Sequence, residues 1–336
     1  MSPTAERLEA YHPFSEAIVE SVSEIAYQNA GLTWPEFVSR NNLPAVKTYT
    51  PKHAKPIQLI DIIPGEGYDG TIVYHESMGT SINESSIMHV APLALALPTK
   101  RIISVGSPDR PGKGYGKIAA NQLSHVWIGD LRPTVDPTLE YLAVQGLYEA
   151  SHIGYSYGAD KALAATIFSQ NYDLGVPYDV TIEPASVKNR NLLRLAMDFA
   201  SAEKYLAEYE TASNSRAFDE AREISGGLIG YSLGLLRLSN LATAHALSYA
   251  DFEKRARQAL TTKPDMFLSL QWGSESELAA DGLMKNISGR LESDFDSRVK
   301  STRLVGQRHA MSEDIFFHAA TILHGIEQAA AYSLSR

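Results

Sequence analysis

A serine hydroxyl attacks a carbonyl only when a base takes its proton and the backbone lets its oxygen project. Gly154-Tyr155-Ser156-Tyr157-Gly158 has the G-x-S-x-G spacing that meets the second condition. Small residues on either side allow close backbone approach at a sharp strand-to-helix turn. A short strand-like stretch, Ser151-His152-Ile153, precedes it and the helix-forming run Ala159 to Ala165 follows it. In that context Ser156 stands at the head of a helix, whose N-terminus stabilises developing negative charge. Gly230-Tyr231-Ser232-Leu233-Gly234 repeats the spacing, but the chain before it, Phe218 to Ser225, is helical and charged rather than a buried strand. Ser232 is therefore read as a small-residue helix contact and Ser156 as the nucleophile.

The base must reach that oxygen from a neighbouring loop. His309 follows the apolar Leu304-Val305 and precedes the last helical stretch, so it sits on a loop at a strand's end, after the nucleophile in chain order. A third group, a carboxylate, has to orient the imidazole and stabilise its cation. Glu277 and Glu275 lie just past the strand-like run Met266 to Trp272, and Glu183 ends the strand before it. Position along the chain leaves all three open.

The elements that must carry these residues show in the hydrophobic spacing. Strands are expected at Ile57–Ile63, Gly70–His75, Arg101–Ser107, Ser151–Tyr155, Asp179–Glu183, Met266–Trp272 and Thr302–Gln307. Helices are expected at Pro137–Ala150, Ala159–Ser169 and Ile315–Ser333. That alternation gives an α/β class with a mostly parallel central sheet and helices on both faces. It stops between 187 and 263, where the pattern is helical throughout and reads as a cap inserted between two strands. The resulting division is an N-terminal helical extension (1–55), a core in two parts (56–186 and 264–336) and the cap (187–263). In the extension, Leu8, Tyr11, Phe14, Ile18, Val22 and Ile25 form one face of a helix from Thr4 to Ala30, with a second helix starting at Thr33. That face buries against the chain's own core or against a second copy, which makes a homo-oligomer through the N-terminal helix the alternative.

From Gln58 onward the chain resembles the α/β-hydrolase fold family with a helical cap, serine, acid and histidine falling in the family's order. Gly273-Ser274-Glu275-Ser276-Glu277-Leu278 is similar to the family's acid loop G-x-x-S-D-L, which by resemblance points to Glu277 as the acid, with Glu where the family has Asp. Tyr74-His75-Glu76-Ser77-Met78-Gly79 stands at the family's H-G-x oxyanion loop. The resemblance thus implies the Ser77 and Tyr157 backbone N–H groups as oxyanion donors. Glu76 replaces the usual glycine, so a side chain must be accommodated there. Ser107 to Gly114 is similar to the family's D-x-P-G-x-G turn and carries no catalytic role. The activity implied is that of a serine esterase forming an acyl-enzyme on a small acyl substrate, with an apolar pocket suggested by the Leu-, Ala- and Tyr-rich cap. The alternatives are hydrolysis of an amide, thioester or carbon–carbon bond by the same triad, or a non-catalytic binding or assembly protein that keeps the fold. A serine at this position disfavours the family's halide- and epoxide-cleaving chemistry, which uses aspartate there.

Composition narrows the rest. A net charge of −9 without a basic cluster argues against nucleic acid as partner. Cysteine is absent, which removes thiolate nucleophiles, thiolate zinc sites and disulfides. The ten histidines show no metal-ligand spacing, and the mechanism needs no cofactor. No apolar run is long enough to span a membrane and no leader is visible in the first residues, so the expected location is cytoplasmic.

Overall fold

The computed structural model describes residues 11–52, 56–65, 67–77, 89–106, 129–185, 251–309 and 314–336. Ser232, the Ser107–Gly114 turn and the cap up to residue 250 lie outside the described residues.

The first helix, α1, spans Glu16–Asn29 and α2 spans Trp34–Arg40. Ser15 caps α1, and His12-Pro13 just before it explains why the helix begins later than periodicity alone predicts, because a proline disfavours helical backbone in the residue before it. Thr33 and Glu36 close a reciprocal capping box at α2. The strands are β1 (Lys47–Tyr49), β2 (Ile57–Ile62), β3 (Gly70–His75), β4 (Lys100–Val105), β5 (Ser151–Tyr155), β6 (Tyr178–Ile182), β7 (Phe267–Gly273) and β8 (Val299–Leu304). The helices between and after them are α3 (Ala91–Ala96), α4 (Arg132–Val144), α5 (Tyr157–Phe168), α6 (Phe252–Thr262), α7 (Asp281–Phe295) and α8 (Ile315–Leu334).

These strands form one eight-stranded sheet in the order β1-β2-β4-β3-β5-β6-β7-β8. β1 and β2 run antiparallel to their neighbours, and β4-β3-β5-β6-β7-β8 are parallel. Side-chain alternation splits the core into two layers. Ile60, Ile72, Tyr74, Ile102 and Ile153 face α1, α3 and α8. Leu59, Val73, Ile103 and Val105 face α4 and α5, and further along the sheet Leu268 and Leu270 face α6 and α7. The stripe Ile18, Val22 and Ile25 of α1 is buried in the first layer, against α8.

Several expectations shift. The helix expected at Pro137–Ala150 runs over Arg132–Val144 instead. Pro133 in the first turn is the true start signal, and Gly146 at φ 70° takes the left-handed backbone just beyond its end. The last strand ends at Leu304 rather than Gln307, followed by a turn at Gly306 (φ 73°). α6, which falls inside the expected cap range of 187–263, packs on α5 and α7 as part of the layer flanking the sheet. Its Arg255 forms an ion pair with the buried Asp160 of α5.

Candidate active site

Parallel strands present their carboxyl ends on one edge of the sheet, and the chemistry-bearing residues gather there. Ser156 is the residue between β5 and α5, with φ 57° and ψ −122°. Such backbone costs a non-glycine residue about 1–3 kcal/mol and persists where the surroundings enforce it. Here they do: the Ser156 N–H donates to the Ile182 carbonyl at 2.8 Å, and its own carbonyl accepts from the Ala159 N–H at 3.1 Å. The flanking glycines are required by contact. A Cβ at Gly154 would overlap the Gly158 carbonyl group, and a Cβ at Gly158 would overlap the His75 carbonyl oxygen at the end of β3. The helix head is therefore pressed directly against the loop that leaves β3.

His309 arrives from the segment after β8. Its Nε2 lies 2.9 Å from Ser156 Oγ and its Nδ1 lies 3.1 Å from Glu183 Oε2. All three side chains are buried. Glu183 follows β6 directly, with φ 51°, and its N–H donates to the Gln271 carbonyl at 2.8 Å. Its Oε1 accepts from the Gly273 N–H and its Oε2 also accepts from Ser276 Oγ. With those donors already on the carboxylate, Nδ1 is the ring nitrogen that carries hydrogen. Nε2 is then the acceptor that faces the serine hydroxyl.

Glu277, to which the resemblance pointed as the acid, does not meet the imidazole ring. Its Oε2 accepts from the His309 backbone N–H at 3.3 Å, and its Oε1 pairs with Arg308 at 3.2 Å. Glu275 pairs with the other end of the Arg308 guanidinium, 3.1 Å away. The placement of the two carboxylates has a physical basis. After β7 the chain is zipped to the loop after β8 through Glu275 N–H to the Gln307 carbonyl (2.9 Å) and Ser274 N–H to the Leu304 carbonyl (2.9 Å). That pairing sets Glu277 beside the His309 backbone. The left-handed residue at the end of β6 leaves the Glu183 carboxylate at Nδ1. Gly273 is small for the same reason: a Cβ there would crowd Gln307 and Glu183 Oε1.

Glu76, standing where the resemblance has glycine, is fully buried. Its carboxylate receives Ser104 Oγ of β4 at 2.9 Å and meets His89 Nδ1 at 3.3 Å. Its N–H still pairs with Val105 at 3.2 Å, so Ser77 carries the next N–H beyond the sheet. Tyr157 begins α5, with its ring buried in the second core layer. Two further side chains touch the site without having been read from the sequence. Tyr155 lays its ring along His309, with centroids 5.3 Å apart and planes 29° apart, and His318 packs edge-on against Tyr155 at 5.4 Å.

Behind the elbow, His75 Nε2 and His152 Nδ1 lie 3.1 Å apart, both enclosed. Burial pushes His152 down to about 3, aided by Lys263, and holds His75 well below the usual histidine range. Among the described residues no cluster of His, Cys, Asp or Glu is arranged to hold a metal ion, and no helix is long and apolar enough to cross a membrane.

No family model and no curated protein sequence matches the chain. Solved structures do. A carboxylesterase of the thaumarchaeon Nitrososphaera gargenis superposes with a TM-score of 0.56 at 14% identity, over 86% of this chain and 100% of that one. A Burkholderia cenocepacia protein described as an aryl esterase gives 0.56 at 14%, over 87% and 100%. A laboratory-evolved variant of potato epoxide hydrolase gives 0.55 at 12%, over 84% and 99%. Together with the strand order and the helices on both faces of the sheet, these likenesses establish that the chain has the α/β-hydrolase fold.

Proposed function

We propose that the protein is a serine hydrolase that cleaves a carboxylic ester through an acyl-enzyme on Ser156, with His309 as base and Glu183 as the orienting acid. The observation that carries the reading is the unbroken line of hydrogen bonds from Ser156 Oγ to His309 Nε2 (2.9 Å) and from His309 Nδ1 to Glu183 Oε2 (3.1 Å). Glu183 takes the role first given to Glu277. Glu277 and Arg308 instead hold the segment that carries the histidine.

In this mechanism the Ser156 oxygen adds to the acyl carbon as its proton passes to Nε2. The imidazolium so formed keeps its Nδ1–H on Glu183. The Tyr157 N–H, at the head of α5, and the Ser77 N–H receive the oxyanion, each worth about 3–4 kcal/mol by comparison with donors removed elsewhere. The proton on Nε2 leaves with the alcohol. Water, deprotonated by the same nitrogen, then releases the acid. Serine rather than aspartate at the elbow favours acyl transfer over epoxide opening, although an epoxide hydrolase shares the fold. The carboxylesterase and the aryl esterase among the structural neighbours are consistent with this choice.

The reading is tested with p-nitrophenyl acetate and butyrate. The wild type is expected to hydrolyse them, and Ser156→Ala to fall to the uncatalysed rate with its circular dichroism unchanged. A folded Ser156→Ala protein with near-wild-type turnover removes the nucleophile assignment.

A further inference from the structure

Ser156, His309 and Glu183 account for proton movement, but not for the wall on which the imidazole rests. Tyr155, the last residue of β5 and the immediate neighbour of Ser156, supplies that wall. Its ring is buried, nearly parallel to His309, with centroids 5.3 Å apart. On β3, Tyr74 places its hydroxyl 2.8 Å from Nε2 of His318, and the two rings meet edge-on at 5.7 Å. His318, in the first turn of α8, in turn meets Tyr155 edge-on at 5.4 Å. Burial, with His89 nearby, pushes His318 down to about 3, so this part of the stack holds no charge that would repel an imidazolium. One continuous aromatic column, Tyr74–His318–Tyr155–His309, thus runs from β3 past α8 and β5 to the base.

We infer that Tyr155 is a positioning residue for the proposed hydrolysis: its ring face holds His309 in line with Ser156 and stabilises the imidazolium formed when the serine attacks. The physical basis is the negative electrostatic face of an aromatic ring, which attracts a cation more strongly where water is excluded. The stabilisation arises only when the histidine is charged, so it acts on the transition state and not on substrate binding. This inference rests on the triad assignment above.

The test compares Tyr155→Phe with Tyr155→Leu, using ester hydrolysis and the rate of fluorophosphonate labelling. Phenylalanine keeps the ring face, so Tyr155→Phe is expected to hold kcat within about two-fold. Leucine keeps the apolar volume without the face. Tyr155→Leu is expected to lose about ten-fold in kcat and in labelling rate, the size of a desolvated cation–π contact, with KM unchanged. If Tyr155→Leu does not fold, Tyr155→Met, also apolar and without a ring, takes its place with the same expectation. Unchanged kcat in the folded leucine or methionine variant overturns the inference, as does an equal loss in Tyr155→Phe or an effect confined to KM. The two readings fail differently. A wild-type protein that is neither labelled nor active overturns the triad and this inference together. An active wild type with an indifferent Tyr155→Leu overturns only the role of Tyr155.

Discussion

Replacing Glu183 by glutamine separates the two carboxylates that flank His309, because the surrounding donors dictate which way the amide must lie. Oε1 of Glu183 receives the Gly273 N–H, so the amide oxygen of Glu183→Gln takes that place and the NH2 turns toward Nδ1. An NH2 group there requires Nδ1 to accept, which moves the ring proton to Nε2. Nε2 then faces Ser156 Oγ with a hydrogen and cannot take the serine proton. Ser276 Oγ can rotate to accept from the same NH2, so the variant leaves no buried polar atom unpaired and should fold. The expected loss is about 10³–10⁴ in kcat, equal to about 4–5.5 kcal/mol, by analogy with the asparagine replacement in a serine protease triad. Glu277→Gln removes only a charge from a side chain that meets the His309 backbone N–H at 3.3 Å and the partly exposed Arg308. It should cost ten-fold or less, the size of one charge-assisted hydrogen bond. Steady-state hydrolysis of p-nitrophenyl butyrate by both variants, with thermal melts to confirm folding, measures the contrast. Equal losses, or a larger loss in Glu277→Gln, would refute the assignment of Glu183.

Other expectations follow from the same contacts. Ser232→Ala should leave turnover within about two-fold of wild type, and a loss comparable to Ser156→Ala would mean that the other G-x-S-x-G carries the nucleophile. Gly158→Ala should lower stability by about 1–3 kcal/mol, read from urea denaturation, and reduce kcat as well. Its Cβ meets the His75 backbone carbonyl, which cannot yield as a flexible side chain could. An unaltered urea midpoint would show that the elbow and the β3 loop can separate freely. The pH dependence of stability has a definite sign. His75, His152 and His318 have folded values depressed below an unfolded value of about 6.5, so the unfolded chain binds protons that the folded chain refuses. Asp179, raised well above its ordinary value by burial, and Asp136, raised to about 6, act in the opposite direction but are outnumbered. The urea midpoint should therefore fall as pH is lowered from about 6.5 toward 4, and a midpoint that rises over that interval contradicts the buried, neutral histidines.

Much of this arrangement is legible in the residues. β3 and β5 stand where alternation places them, because strands buried on both faces read as apolar runs bounded by turn residues. Ser156 and His309 meet as expected, since a strand-to-helix turn and a loop beyond the last strand leave little freedom in where those side chains go. The acid is the part that the residues leave open. Glu183, Glu275 and Glu277 all follow strands at the same sheet edge, and the choice among them rests on a left-handed backbone at Glu183 and on the pairing of Glu275 with Gln307. Neither leaves a periodic trace in sequence. β1, with only Lys47-Thr48-Tyr49, is too short and too exposed to show a pattern. α7 leaves little trace in the sequence because its apolar residues, Met284, Ile287 and Leu291, are widely spaced among polar ones, and packing on α6 and β8 makes them a face. Tyr155 is not marked by the G-x-S-x-G pattern, which leaves its position free.

The central claim is an activated serine at position 156, and covalent capture tests it most directly. A fluorophosphonate probe should phosphonylate the protein once, with mass spectrometry placing the adduct on the peptide containing Ser156. His309→Ala should lose the label while remaining folded. Label on Ser232 or another serine, or label on Ser156 at an undiminished rate without His309, would contradict the account.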